Sequence, residues 1–219
     1  MKKAITLGAA IAAVLASGSA LAGASVNAGA TTNYLWRGVT QSSDTASVMG
    51  GADYSHDSGA YVGVWLGSLV GGTEMDVYGG FAGEAGGVGY DIGVITYQYT
   101  TTPNINFTEV YLTGTYSIIS LGVYSTVDAG TANKDAAFDK GDLYVNASAD
   151  FDMGPIATSV FGGHYKFDND NKFGNGDLDY THYGISFTSG EVTVAVEKND
   201  IKGDEAARVV ATWSKSWDI

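Results

Sequence analysis

Arg37 and Arg208 are the only arginines in this chain of 219 residues, which carries 24 acidic side chains and a formal net charge of −13. A guanidinium is planar, stays charged and pairs with carboxylates through two parallel hydrogen bonds. Asp53, Glu74, Asp76, Asp91 and Glu109 stand on the polar faces of alternating segments, as do Asp142, Asp150, Asp179 and Glu191. The chemistry open to such a set is electrostatic. It can choose between signs of charge and orient a polar molecule in a transverse field.

Reactive chemistry finds less support. The three histidines are His56, His164 and His182. No nucleophile motif, zinc-spaced histidine pair or glycine-rich phosphate loop accompanies them, so the chain is not read as an enzyme and no cofactor is expected. An outer-membrane hydrolase would need a Ser or Asp beside His164 or His182 at one rim. The run Asp168–Asp177 alternates acidic and amide oxygens like a calcium loop. Yet Lys172 occupies a ligand position, the glycines are misplaced and the distal Glu is missing, so a solvated loop is expected and no metal.

Positioning these residues falls to strands. Alternating segments lie at approximately 24–37, 46–56, 59–68, 73–83, 87–99, 106–118, 120–128, 141–151, 156–167, 178–188, 191–198 and 205–217. Most approach the ~9–11 residues that cross a bilayer at a tilt. Tight turns at 56–59, 84–87, 119–120, 152–155 and 189–190 alternate with longer polar loops at 38–45, 100–105, 129–140, 168–177 and 199–204; the short connection 69–72 is the exception. This two-class rhythm predicts an all-β, up-and-down antiparallel barrel of a bacterial outer membrane. Tight turns and both termini should be periplasmic and the loops extracellular.

Side-chain alternation assigns the faces. Met75, Val77 and Phe81 oppose Glu74, Asp76 and Tyr78. Val110, Leu112 and Tyr116 oppose Glu109, Tyr111 and Thr113. A one-residue slip would put carboxylates in lipid, which fixes the register. Segment 156–167 is ambiguous, with Phe161 and Tyr165 on one face and Ile156, Val160 and His164 on the other. A soluble sandwich with one wet face would alternate too. The export signal, the two classes of turn and the even strand number argue against it.

That signal is Met1-Lys2-Lys3, an apolar run Ala4–Ala16 and the small-residue end Ser19-Ala20-Leu21-Ala22, a secretory signal peptide over 1–22 with cleavage expected after Ala22. Loss of Lys2 and Lys3 removes two positive charges and takes −13 to −15. Nucleic acid is excluded as a partner, since phosphate binding needs a basic surface. Cysteine is absent, and a closed barrel needs no disulfides. Proline, which removes a ladder hydrogen bond, is held to 2 residues, while Tyr reaches 14. Barrel closure makes the first and last strands neighbours, so Arg37 and Arg208 are expected near the seam at one level, bridged by Asp53 or Glu74.

Several phrases resemble the TorF-like family of small bacterial outer-membrane porins. They are Asn33-Tyr34-Leu35-Trp36-Arg37-Gly38-Val39-Thr40-Gln41-Ser42, Gly51-Ala52-Asp53-Tyr54, Tyr61-Val62-Gly63-Val64-Trp65, Glu74-Met75-Asp76-Val77-Tyr78-Gly79-Gly80, Gly89-Tyr90-Asp91-Ile92-Gly93 and Asn106-Phe107-Thr108-Glu109-Val110-Tyr111. The resemblance spans nearly all of the chain after the signal and implies an outer-membrane barrel with a channel role. One departure is the C-terminus, where Trp217 precedes Asp218-Ile219 in place of a final aromatic residue.

The sequence therefore leads to a monomeric channel passing small hydrophilic solutes by diffusion, with outer-membrane lipid and lipopolysaccharide around it. Arg37, Arg208, Asp53, Glu74, Asp76, Asp91 and Glu109 are the lining or constriction residues, and an acidic lumen should prefer cations. The competing expectation is a plugged, structural or adhesive barrel, recognised by ion pairs that cross a sealed interior.

Overall fold

A computed structural model of the chain describes residues 23–101, 105–130, 138–169 and 178–219. Residues 1–22, where a signal peptide is expected, and most of the acidic run 168–177 lie outside the described residues.

The wall is built from β1 (Gly23–Thr31), β4 (Ser47–Ser55), β5 (Ala60–Leu69), β6 (Gly72–Ala85), β7 (Val88–Tyr99), β8 (Phe107–Tyr116), β9 (Ile119–Ala129), β10 (Leu143–Met153), β11 (Ile156–Lys166), β12 (Tyr180–Ser189), β13 (Val192–Asn199) and β14 (Arg208–Asp218). Each pairs antiparallel with its sequence neighbour in the wall, and β1 pairs with β14 to close a barrel of twelve strands. Closure satisfies every edge, which an open sheet in lipid cannot do.

One segment departs from the expected order. The first strand does not run to residue 37. It ends at Thr31, and a separate hairpin follows, β2 (Leu35–Trp36) paired with β3 (Val39–Thr40). Arg37 and Gly38 form its two-residue turn with φ of 50° and 82°. Positive φ at both positions is what a type I′ hairpin needs, and glycine supplies the second without strain.

The tight turns of the wall gather at one end of the barrel and the long loops at the other, except for the short β5–β6 turn at Val70-Gly71, which lies at the loop end. The turn expected at Ile119-Ser120 sits two residues earlier. Ser117 takes a left-handed φ of 57°, which lets Tyr116 pair with Ile119 and Thr115 with Ser120. A bulge interrupts β9, where Asp128 pairs with Thr108 and Thr126 with Glu109, leaving Val127 extra. Bulges twist a strand and re-aim its neighbours, and this one lies against Glu109.

The faces follow the predicted parity. Val77, Val110, Leu112, Val145, Val194 and Val196 are exposed on the outside, forming an apolar band too extensive for a monomeric water-soluble surface. Outward Tyr54, Tyr116 and Trp217 collect towards the tight-turn end, where amphipathic rings suit a headgroup layer. The ambiguous strand β11 resolves with Phe161 and Tyr165 inward and Val160 and His164 outward. Inward rings lie over glycines of adjacent strands: a Cβ on Gly163 would overlap the Tyr144 ring, and one on Gly63 the Tyr78 ring.

Candidate functional site: the barrel lumen

The β2–β3 hairpin folds into the barrel. Its base is a polar knot in which Asn33 donates to Asp44 (2.7 Å) while its carbonyl oxygen accepts from Thr40 (2.7 Å) and Ser42 (3.1 Å). The tip carries Arg37 inward until its Nη1 and Nη2 reach Oε1 and Oε2 of Glu109 at 2.8 and 2.6 Å. Glu109 is on β8, separated from β1 by β4, β5, β6 and β7 one way round the closed barrel and by β9 to β14 the other, so the pair spans the lumen. Tyr97 also donates to Glu109 at 3.2 Å. Four rings hold the guanidinium from the sides: Trp36 at 4.3 Å, Tyr144 at 4.0 Å, Tyr124 at 5.0 Å and Tyr165 at 5.2 Å. Such contacts reinforce a desolvated cation. The left-handed backbone of a non-glycine Arg37 costs about 1–2 kcal/mol, which these interactions offset.

The two arginines do not share a carboxylate, contrary to the expectation of one seam network. Arg37 pairs with Glu109, not with Asp53 or Glu74. Arg208 stays at the loop-end rim, where it donates to Asp44 (2.6 Å) and Asp204 (2.5 Å). The physical reason is the hairpin, which carries Arg37 away from the wall. Hydrogen bonds to Arg208 hold both Asp44 and Asp204 below the usual carboxylate range. Asn199 links Asp204 (2.8 Å) to the carbonyl of Gly38 (2.8 Å), so rim and hairpin form one assembly.

The remaining acids divide by depth. Glu74 and Asp76 are buried on β6 at the loop end, 1% and 0% exposed. Tyr99 donates weakly to Glu74 (3.4 Å), while among the described residues Glu74 Oε2 and both Asp76 oxygens have no well-formed hydrogen bond. Asp53 and Asp91 lie nearer the tight-turn end and are half-buried. Asp53 takes hydrogen bonds from Asn27 (3.3 Å) and Tyr78, and Asp91 from Tyr61 (2.6 Å), whose hydroxyl also meets that of Tyr111. With Asn146, Ser148 and Asp150, they leave this half of the interior polar and partly open, whereas the hairpin and its aromatic neighbours fill the loop half.

Three candidates fall elsewhere. Glu191 is at the tight-turn rim on the outer surface, bound to Lys215 (2.7 Å) and the Trp213 indole (2.9 Å), and does not line the lumen. Asp142 precedes β10 and caps the loop region, accepting from the backbone N–H groups of Asp139 and Asp168 at 2.8 Å each. Burial pushes its carboxyl up to about 6. Asp179 accepts from the backbone N–H of Phe167 at 2.7 Å.

Sequence reasoning missed the group beneath the hairpin tip. His182 is buried against Gly38, with Nδ1 2.7 Å from Glu197 and Nε2 2.7 Å from the Tyr144 hydroxyl. Its ring nitrogens are thus occupied by a carboxylate and a phenol, while outward-facing His164 meets the Thr181 hydroxyl at 3.1 Å. Among the described residues no cluster of three or more His, Cys, Asp or Glu is arranged to hold a metal ion.

A family model covers residues 15–217, described as "Bacterial protein of unknown function (Gcw_chp)". The chain belongs to this Gcw_chp family. Its barrel is similar to solved porins at very low identity. KdgM porin matches with a TM-score of 0.56 and 8% identity, covering 89% of this chain and 99% of that one. NanC porin gives 0.55 and 10%, covering 90% and 99%. "KdgM porin in complex with disordered oligogalacturonate" gives 0.52 and 7%, covering 90% and 99%. These likenesses concern the fold, a porin-like barrel. No curated protein matches the chain.

Proposed function

We propose that this Gcw_chp protein is an outer-membrane channel for small hydrophilic solutes, with a lumen narrowed by the β2–β3 hairpin and a preference for cations. One observation carries the reading: a closed barrel with an apolar outer band encloses a polar, acid-rich interior that is half-open towards the tight turns. The TorF-like resemblance points the same way. Among the described residues the lumen acids Asp53, Glu74, Asp76 and Asp91 outnumber the cation that enters it, Arg37, which Glu109 already neutralises. A low-dielectric wall focuses that negative potential. An anionic solute such as the oligogalacturonate named for KdgM is therefore a poor fit to this interior.

The orientation follows outer-membrane barrels, with long loops outside, tight turns and both termini in the periplasm, and residues 1–22 removed on export. The barrel acts as a monomer among outer-membrane lipid and lipopolysaccharide.

A second reading has its own support. The Arg37–Glu109 pair crosses the lumen within an aromatic cluster of Tyr34, Trp36, Tyr97, Phe107, Tyr144 and Tyr165, which favours a plugged barrel with a structural role. Single-channel conductance of the refolded chain in planar bilayers, with the reversal potential under a salt gradient, separates the two. Discrete steps with cation preference support the channel. Anion preference would keep the pore and transfer control to the arginines. A correctly folded barrel without steps leaves the plugged form.

A further inference from the structure

Glu74 and Asp76 occupy successive inward positions of β6, and among the described residues neither carboxylate has an ion pair with a cation. Aromatic residues enclose them by register: Trp65 and Tyr97 stand directly opposite Asp76 on the two flanking strands, and Tyr99 stands opposite Glu74. Tyr34 of the hairpin packs on Trp65 at 5.4 Å between ring centroids, and its buried hydroxyl lies beside Glu74. Asp76 also feels the negative charge of Glu109. Two buried carboxylates thus share an aromatic compartment, and among the described residues both Asp76 oxygens and Glu74 Oε2 lack a well-formed hydrogen bond. Unpaired buried charge is costly, and such groups are held by an opposite charge or a proton.

The same lumen shows what satisfies this combination. One strand pair away, a carboxylate and a set of rings hold a guanidinium, that of Arg37. Tyr97 belongs to both places, since it donates to Glu109 and flanks Asp76. We infer that Glu74 and Asp76, walled by Tyr34, Trp65, Tyr97 and Tyr99, bind the guanidinium or primary ammonium group of a basic solute. Carboxylates supply charge-assisted hydrogen bonds, and the rings supply cation–π attraction. A hard metal ion fits less well, because it asks for six or more oxygens and aromatic walls offer none. Tyr34 covers the compartment, so binding displaces the hairpin's inner edge. The inference rests on the channel reading and names its solute class.

The test uses the refolded mature barrel in detergent micelles at pH 7. Agmatine, which carries a guanidinium and an ammonium, is titrated by calorimetry, with potassium chloride and calcium chloride at matched ionic strength. Saturable agmatine binding is expected. The double variant Glu74→Gln/Asp76→Asn should weaken it on the order of tenfold or more. Glu84→Gln, which removes one exposed charge at the tight-turn end of the same strand, should leave it unchanged. Absence of binding to the folded parent would overturn the inference, as would equal binding by the double variant or equal response to calcium. The heat-modifiable gel shift verifies the fold of each variant before binding is read. Conductance is read separately. Steps without agmatine binding remove this site and keep the channel, whereas binding without steps removes the channel and keeps the site.

Discussion

Arg37 and Glu109 meet by two hydrogen bonds of 2.8 and 2.6 Å, though β1, from which the Arg37 hairpin departs, stands nearly across the barrel from β8. The pair ties the hairpin tip to the far wall. Breaking a buried pair by removing one partner leaves an uncompensated charge and costs about 3–5 kcal/mol. Glu109→Gln is expected to lower the urea midpoint of the refolded barrel accordingly. Arg37→Met/Glu109→Gln, which removes both charges, should recover most of that loss. A single variant as stable as the parent would mean that the pair is solvated.

Hairpin displacement should widen the lumen. Replacing residues 33–44 with a short glycine–serine link leaves the wall strands β1 and β4 to pair as before. Single-channel conductance should rise several-fold over the parent, because the hairpin carries Tyr34, Trp36 and Arg37 into the loop half of the lumen. Unchanged conductance would place the constriction elsewhere in the wall.

Two carboxyl environments outside the wall strands make opposite contributions with pH. Asp142 is raised to about 6, so folding favours its protonated form. Stability from this group should increase as pH falls from about 6 towards the unfolded value of about 3.9. Asp142→Asn should flatten that window. Asp44 and Asp204 are lowered, so the Arg208 rim cluster contributes above their unfolded pKa and is lost as pH falls through their folded values. Arg208→Gln should remove only this lower arm. Urea midpoints of the refolded barrel across pH 3–8 check both signs.

Outward Leu112, near the middle of β8, tests the membrane-facing band. In a lipid-embedded barrel, Leu112→Arg should cost about 2–4 kcal/mol when refolded in bilayers. In a water-facing wall the same change would be close to neutral, as surface substitutions usually are. Denaturant titration in lipid vesicles distinguishes these outcomes.

The hairpin also explains what sequence reading could and could not reach. Leu35-Trp36 and Val39-Thr40 alternate like the wall strands, so residues 24–37 read as one continuous element. The Arg37-Gly38 turn was visible as a glycine after a polar residue, but alternation alone does not say whether a hairpin extends the wall or leaves it. Nor does it give the depth of Glu109, which depends on the register of β8 against its neighbours and on the bulge at Val127.

The sequence by itself determined the strand number, the grouping of turns, and the inward parity of Glu74, Asp76, Tyr78, Glu109 and Tyr111. These are local properties: side chains alternate with period two, and charge cannot face lipid. The tertiary structure decided that Arg37 joins Glu109 across the lumen while Arg208 stays with Asp44 and Asp204, and that His182 is caught between Glu197 and Tyr144. It also decided that Glu74 and Asp76 share an aromatic compartment. Those pairings join residues far apart in sequence, and they exist because barrel closure brings distant strands around one narrow interior into which a loop can fold.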